Sequence, residues 1–308
     1  MQSFLPVVFL VFLSPWLPVP GEGFFRGPRR WLARKQPSRE DYSRHVRRLF
    51  EETIPAGCAF SVVVQEPFVV VGNEPPAIVK RRAGETVRWA VDRMKEEFSF
   101  EDPEEIYTIW LFKDRESYER YSREIFRLEP DTPFGYTSHR DRALVLNIAT
   151  GGGTLLHEIM HSFVEANFPR CPPWLNEGLA SLYEQSGERN GKIVGFVNWR
   201  LSGLRSAILR GSLPPLAWLT SRTERQFYDE DPGTNYSHAR YLVLYLQERG
   251  ALRRFYRELL ENTRNDPTGV STFLSALGES DPIDFEERWK RWVLQLVDPT
   301  GRAGRPRW

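Results

Sequence analysis

The sequence predicts an α+β fold, with a mixed β-sheet and helices in its N-terminal half and a mainly helical C-terminal half. Short runs rich in Val and Phe, each bounded by turn residues, are confined to the part before residue 150. From Gly151 onward the apolar residues recur with helical spacing. Because strands come first and helices later, the pattern favours α+β over an alternating α/β arrangement. The 308 residues are 41% hydrophobic and 27% charged, which is typical of a globular chain with a sizeable core.

The first residues have the pattern of an export signal. An apolar run from Phe4 to Leu17 is too short to span a bilayer comfortably, and Gly21–Gly23 offers small residues for cleavage. We therefore predict a signal peptide at residues 1–23 and a periplasmic or secreted protein. The alternative is an uncleaved leader that anchors the chain, which would be its one membrane contact. A basic linker at 24–37 follows, and the net charge of +1 argues against a nucleic-acid partner.

The N-terminal subdomain is predicted to span residues 38–150. Its first helix runs over about 38–53, with Ser38 and Asp41 as a capping pattern. Two short strands flank Gln65–Pro67, a helix covers about 76–98, and a buried strand follows over 104–112. Asp114 is placed to cap a helix that ends near Phe126. Segments 133–138 and 142–148 then predict a hairpin.

The C-terminal subdomain, residues 151–297, is predicted to be helical. The apolar periodicity predicts helices over about 152–167, 174–186, 198–210, 234–249, 251–263, 268–277 and 282–296. Segment 191–199 is ambiguous, and 298–308 is predicted to be a flexible tail. The chain has two cysteines, Cys58 and Cys171. In an exported protein they could form a disulfide, but two buried free thiols fit the sequence equally well.

The strongest chemical signal is the stretch HEIMH, in which His157 and His161 are four residues apart and Glu158 follows the first histidine. Four residues are about one turn of an α-helix, so both imidazoles lie on one face and can approach the same cation. Glu158 is offset from that face, where it can act on a water molecule without ligating the metal. This is the arrangement of a metal-ligand pair with a general base.

A catalytic zinc usually has three protein ligands, so the pair needs a third. Glu177 is the best candidate, because Pro172 and Pro173 can start a new helix and a helical reversal brings its first turn back against the histidines. Glu184 lies two turns further along the same face. It would either accept the second N–H of a ligand histidine or face solvent, and the sequence leaves both open.

The stretches HEIMH and WLNEGLASLYE resemble the gluzincins, the thermolysin-like and aminopeptidase N-like zinc peptidases of clan MA. The C-terminal pattern is similar to a group of bacterial MA-like metallopeptidases. The resemblance implies a zincin-like fold, one Zn²⁺ per chain and Glu177 as the third ligand. It also implies that Tyr236, in NYSHARYLVLYLQERG, supports the oxyanion, with Tyr241 and His238 as alternatives. The gap from His161 to Glu177 is shorter than in aminopeptidase N relatives, and no stretch resembles their amine-binding motif.

The predicted function is that of a zinc metallopeptidase acting on peptides or proteins. An extended substrate would add to a free sheet edge, for which the segment carrying Gly135 and Tyr136 is the candidate. Two alternatives stay open. One is a zinc hydrolase of a non-peptide amide or ester, which passes through the same kind of tetrahedral intermediate. The other is a non-catalytic binding protein with a zincin-like fold. The sequence does not indicate an oligomeric state.

Overall fold

The computed structural model describes residues 36–297 and confirms the α+β arrangement. Five strands form a mixed sheet in the order β1-β2-β3-β5-β4. They are β1 (Ser61–Gln65), β2 (Phe68–Gly72), β3 (Tyr107–Phe112), β4 (Gly135–Ser138) and β5 (Ala143–Asn147). The central pairs β2–β3 and β3–β5 are parallel, whereas β1 and β4 each pair antiparallel with their neighbour. Strand β4 therefore lies at an edge of this sheet.

Helices cover both faces of the sheet, which explains why β2 and β3 are buried along their whole length. On one face lie α1 (Arg39–Arg48), continued by a π-helical turn at Leu49–Thr53, and α4 (Arg115–Phe126). The other face carries α3 (Arg88–Phe98), which follows α2 (Pro76–Arg81) and a π-helical turn at Arg82–Val87. It also carries α5 (Gly153–Asn167), which follows a 3-10 turn at Ile148–Thr150. Alternate strand residues point to the two clusters.

The remainder of the described chain is mainly helical and packs on α5. Its helices are α6 (Pro173–Leu182), α7 (Arg200–Leu209), α8 (Leu216–Thr220), α9 (Glu224–Asp229), α10 (Pro232–Glu248), α11 (Leu252–Asn262), α12 (Val270–Leu277) and α13 (Pro282–Gln295). A hairpin of β6 (Ser186–Arg189) and β7 (Lys192–Gly195) interrupts them. One hydrophobic cluster joins the sheet face to these helices, so both predicted subdomains share a core across residue 150.

Most helix boundaries agree with the predicted ones, with two exceptions. Helix α6 ends at Leu182 and not near residue 186, because the chain there turns into β6. Helices α8 and α9 were not predicted, since each spans less than two turns and offers too short a window for periodicity. The capping patterns at Ser38 and Asp114 are confirmed, because each side chain accepts a hydrogen bond from the third residue of its helix.

The cysteines are both free in the structure. Cys58 packs against the cluster on the α4 side of the sheet, and Cys171 against the cluster on the α5 side. The sheet separates them, so of the two alternatives the structure shows free thiols and no disulfide between Cys58 and Cys171. Within residues 36–297, no helix combines the length and apolar character needed to cross a membrane. The predicted signal peptide, most of the linker and the tail lie outside the described residues, and export stays a prediction.

Candidate metal centre

Helix α5 presents both histidines of HEIMH to the first turns of α6, as the predicted helical reversal requires. The Nε2 atoms of His157 and His161 lie 3.0 Å apart. Oε2 of Glu177 is 3.5 Å from Nε2 of His157, and its Oε1 is 3.5 Å from Nε2 of His161. Three donor atoms thus converge on one point. This His157–His161–Glu177 group, which we call the ligand triad, could hold a metal ion.

The spacing of the triad fits a single cation. Four-coordinate metal sites with bonds of about 2.0–2.1 Å separate neighbouring donor atoms by about 3.3–3.4 Å. The observed 3.0 to 3.5 Å brackets that value. Two imidazole lone pairs that face each other at 3.0 Å repel unless a cation or a proton lies between them. Oε2 of Glu177 is buried and accepts no hydrogen bond within the described residues. This oxygen is therefore a further unsatisfied atom that a cation would satisfy.

Two glycines allow close packing around helices α5 and α6, which carry the triad. A Cβ at Gly178 would lie 2.7 Å from a methyl group of Val243, so α6 packs directly on α10 at the residue after Glu177. A Cβ at Gly153 would lie 2.3 Å from the carbonyl oxygen of Glu184. The N-terminus of α5 therefore sits directly against the chain that follows α6. Gly153 is therefore a contact position.

Each histidine is oriented through its other ring nitrogen. Nδ1 of His161 donates to Oδ1 of Asn176 at 3.0 Å, and Oε1 of Glu184 lies 3.3 Å from Nδ1 of His157. Because both partners present acceptor oxygens, they favour a proton on Nδ1 and leave Nε2 free to ligate. Of the two open alternatives for Glu184, the contact with a histidine is the one the structure shows.

Glu184 is itself held by a buried arginine. Nε and a terminal nitrogen of Arg200 donate to its two carboxylate oxygens at 2.9 and 2.7 Å. Burial opposes the ionised carboxylate, but Arg200 and His157 outweigh it and hold the pKa of Glu184 well below its usual range. The guanidinium of Arg200 also lies 5.0 Å from the centre of the Tyr236 ring. The bidentate pair with Arg200 therefore holds an ionised Glu184 next to Nδ1 of His157.

Glu158 stands outside the triad, as predicted for a general base. It is 5% exposed, and its Oε2 accepts a hydrogen bond of 2.6 Å from Oγ1 of Thr137 on the edge strand β4. Helix α5 runs alongside β4, because a Cβ at Gly135 would lie 3.2 Å from Thr154 Cγ2, one turn before Glu158. The predicted edge strand is therefore next to the triad.

Within that strand, the side chains alternate between the two faces of the sheet. Tyr136 points to the opposite face, where its ring lies 6.3 Å from that of Phe126. Gly135 is required by its packing on Leu146 and Thr154, so its small size does not indicate a substrate position. The side chain of β4 that reaches the site is Thr137. Alternation along a strand puts Thr137 and Tyr136 on opposite faces, and the sequence pattern gave no sign of which face the helix would cover.

Of the three predicted oxyanion residues, only Tyr236 lies at the triad. Its ring is 6.3 Å from that of His157, and burial followed by the Glu177 charge raises its pKa well above the usual value. Tyr241 is engaged elsewhere, since its hydroxyl donates to the carbonyl of Asn198 at 3.2 Å. His238 is buried against Trp289, with rings 4.9 Å apart, and burial lowers its pKa to about 3. These contacts place Tyr241 and His238 away from the triad.

Tyr228 was not predicted and contacts a triad residue directly. Its hydroxyl donates a hydrogen bond to Oε1 of Glu177. Burial, followed by the negative charge of Glu177, raises the pKa of Tyr228 well above its usual value, so the phenol keeps its proton. It lies on α9, a helix too short to be recognised from periodicity. No sequence pattern around Tyr228 indicates that it contacts Glu177.

The three residues of the triad differ in solvent exposure. The side chains of His157 and Glu177 are 5% and 2% exposed, whereas that of His161 is 20% exposed. His161 is therefore the most solvent-exposed of the three.

No protein-family model matches the chain, and no curated protein matches it.

Proposed function

We propose that this chain is a zinc-dependent metallopeptidase. The proposal is supported by the three converging donor groups of the triad. Next to them lies a carboxylate that is not part of the triad, Glu158, which accepts a hydrogen bond from Thr137. Two imidazoles and one carboxylate form a typical catalytic zinc set, which leaves a coordination position open. A purely structural zinc site would be closed by a fourth protein ligand and would need no adjacent base.

Each residue of the site would have a separate role in peptide hydrolysis. A zinc ion supplies a Lewis acid that makes water nucleophilic near neutral pH and polarises the scissile carbonyl. Glu158 takes a proton from the attacking water and passes it to the leaving amine as the C–N bond breaks. Tyr236 donates its hydroxyl proton in a hydrogen bond to the developing oxyanion. Thr137 keeps Glu158 oriented, and the edge of β4 binds extended substrate by backbone hydrogen bonds.

Removal and replacement of metal tests this function. We expect the purified protein to carry about one zinc per chain, to cleave unfolded proteins or peptides, to lose activity in a strong chelator and to regain it with zinc. A panel of small amides and esters run in parallel separates a peptidase from a hydrolase of other bonds. A well-folded protein that binds no zinc, or binds it and cleaves no peptide, would contradict the proposal.

Zinc affinity should depend on pH in a defined direction. In the metal-free protein, burial acts to lower the pKa of His157, but Glu177 and Glu184 outweigh it and raise it to about 10. The ring is thus protonated at neutral pH and must lose a proton to ligate. We expect affinity to rise about tenfold per pH unit from pH 6 to 9. Titration calorimetry in buffers of different ionisation enthalpy should show proton release, and a pH-independent affinity without it would contradict this.

A further inference from the structure

The short helix α9, which carries Tyr228, is held in place at both ends. A capping box closes its first turn. At its other end, the side-chain amide of Asn235 donates to the carbonyl oxygens of Phe227 and Glu230 at 2.9 and 2.6 Å. The Phe227 side chain is fully buried, and its ring lies 5.4 Å from that of Tyr236. The position of Tyr228 is therefore set by contacts that do not involve its own hydroxyl group.

The two carboxylate oxygens of Glu177 lie at equal distances from the ligand histidines but differ in hydrogen bonding. Oε1 is 3.5 Å from Nε2 of His161, and Oε2 is 3.5 Å from Nε2 of His157. The hydroxyl of Tyr228 donates a hydrogen bond to Oε1. Oε2 is buried and, within the described residues, accepts none. Distance alone would let either oxygen, or both, bind a metal, whereas hydrogen bonding leaves only Oε2 without a partner.

The number of Glu177 oxygens that ligate decides how many positions a metal keeps for substrate. A carboxylate binds a metal through one oxygen or through both. A catalytic zinc has three protein ligands and an open position for water or substrate. A second oxygen from Glu177 would compete for that position. The hydroxyl of Tyr228 opposes this, because a phenol, with an ordinary pKa of about 10, carries its proton at neutral pH and can donate it to Oε1.

We propose that Tyr228 is a positioning residue that holds Oε1 of Glu177 in a hydrogen bond, so that Glu177 ligates through Oε2 alone. The inference rests on the proposed function and adds the residue that keeps a coordination position open for the substrate carbonyl. Tyr228 acts through Glu177 and not on the substrate, which distinguishes it from Tyr236. The hydrogen bond is compatible with a bound metal, because a carboxylate that ligates through one oxygen still accepts a hydrogen bond on the other.

The variant Tyr228→Phe tests this role, because it removes the hydroxyl and keeps the ring. Cobalt(II), which replaces zinc in such sites, absorbs visible light strongly with four ligands and weakly with five or six. At saturating cobalt we expect the visible absorption of Tyr228→Phe to fall well below that of the wild type. With zinc bound, kcat should fall by about 10- to 100-fold, the usual effect of losing an outer hydrogen-bond partner. A residue that only anchors α9 would change the unfolding temperature and leave the cobalt spectrum unchanged.

The matched control is Tyr107→Phe, which likewise removes a tyrosine hydroxyl that donates to a carboxylate. The acceptor of that hydrogen bond is Glu165, at 3.1 Å, which is not a member of the triad. This variant should keep the wild-type cobalt spectrum and the wild-type kcat. A spectral change confined to Tyr228→Phe would therefore come from Glu177.

A crystal structure of the zinc-loaded wild-type protein answers the same question without any substitution. We expect one oxygen of Glu177 at about 2.0–2.2 Å from the zinc and Tyr228 on the other oxygen. Both oxygens at that distance would overturn this inference and leave the peptidase function standing, as would a folded Tyr228→Phe whose cobalt spectrum matches the wild type. A metal-loaded protein with the expected coordination that cleaves no peptide would overturn the function alone. A folded protein that binds neither metal would overturn both.

Discussion

Glu158→Gln is expected to lower kcat/KM by about 100- to 10,000-fold while zinc content stays at the wild-type level. The substitution removes a general base, whose contribution is typically of that size. It keeps the side-chain volume, and the amide oxygen can still accept the 2.6 Å hydrogen bond from Thr137. Because Glu158 lies outside the triad, the metal site should survive. Activity and metal content measured on the same preparation separate the two effects.

The matched control is Glu165→Gln, two turns further along α5. That carboxylate accepts a hydrogen bond of 3.1 Å from the hydroxyl of Tyr107 and is 48% exposed. We expect near wild-type activity and zinc content in this variant. If Glu158→Gln loses its zinc, the carboxylate belongs to the coordination sphere. If it keeps its activity, another group performs the proton transfer.

The local part of the site could be predicted from the sequence because helical geometry is local. The spacing of His157 and His161 fixes their common face without any knowledge of the tertiary structure. Glu177 followed from one further step, a helical reversal started by Pro172 and Pro173. The distances among the three donor groups now agree with that step. The concentration of Val-rich strands before residue 150 and of helical periodicity after it likewise allowed the fold class to be predicted.

The partners of these residues could not be predicted, because each comes from a segment remote in sequence. Thr137 reaches Glu158 from β4, Arg200 reaches Glu184 from the start of α7, and Tyr228 reaches Glu177 from α9. No spacing rule relates such positions. Tyr236 and Tyr241 show the same limit: five residues apart on one helix, they face different neighbours, and only the packing of α10 on α6 decides which one meets the triad.

Glu177→Gln is expected to lower zinc affinity by more than about 100-fold, which exceeds the usual effect of losing an outer hydrogen-bond partner. The substitution removes the one negative charge in the triad. It also leaves a weaker amide oxygen opposite two imidazoles. In the metal-free protein burial acts to lower the pKa of His157, and the interaction with Glu177 is the largest effect that raises it, so in this variant His157 should also lose part of its proton affinity. Competition with a chromophoric chelator gives the affinity directly.

Asn176→Ala supplies the graded comparison for this measurement. It removes only the acceptor for Nδ1 of His161, 3.0 Å away, and leaves all three donor atoms in place. Loss of such an outer partner typically lowers metal affinity by about 10- to 100-fold. The zinc affinity of Glu177→Gln should therefore be clearly lower than that of Asn176→Ala. Thermal unfolding should show that both variants are folded. If the two lose affinity equally, Glu177 acts only as a hydrogen-bond partner. If Glu177→Gln binds zinc as the wild type does, the carboxylate is not a ligand, and the ion is held by the histidines with another group.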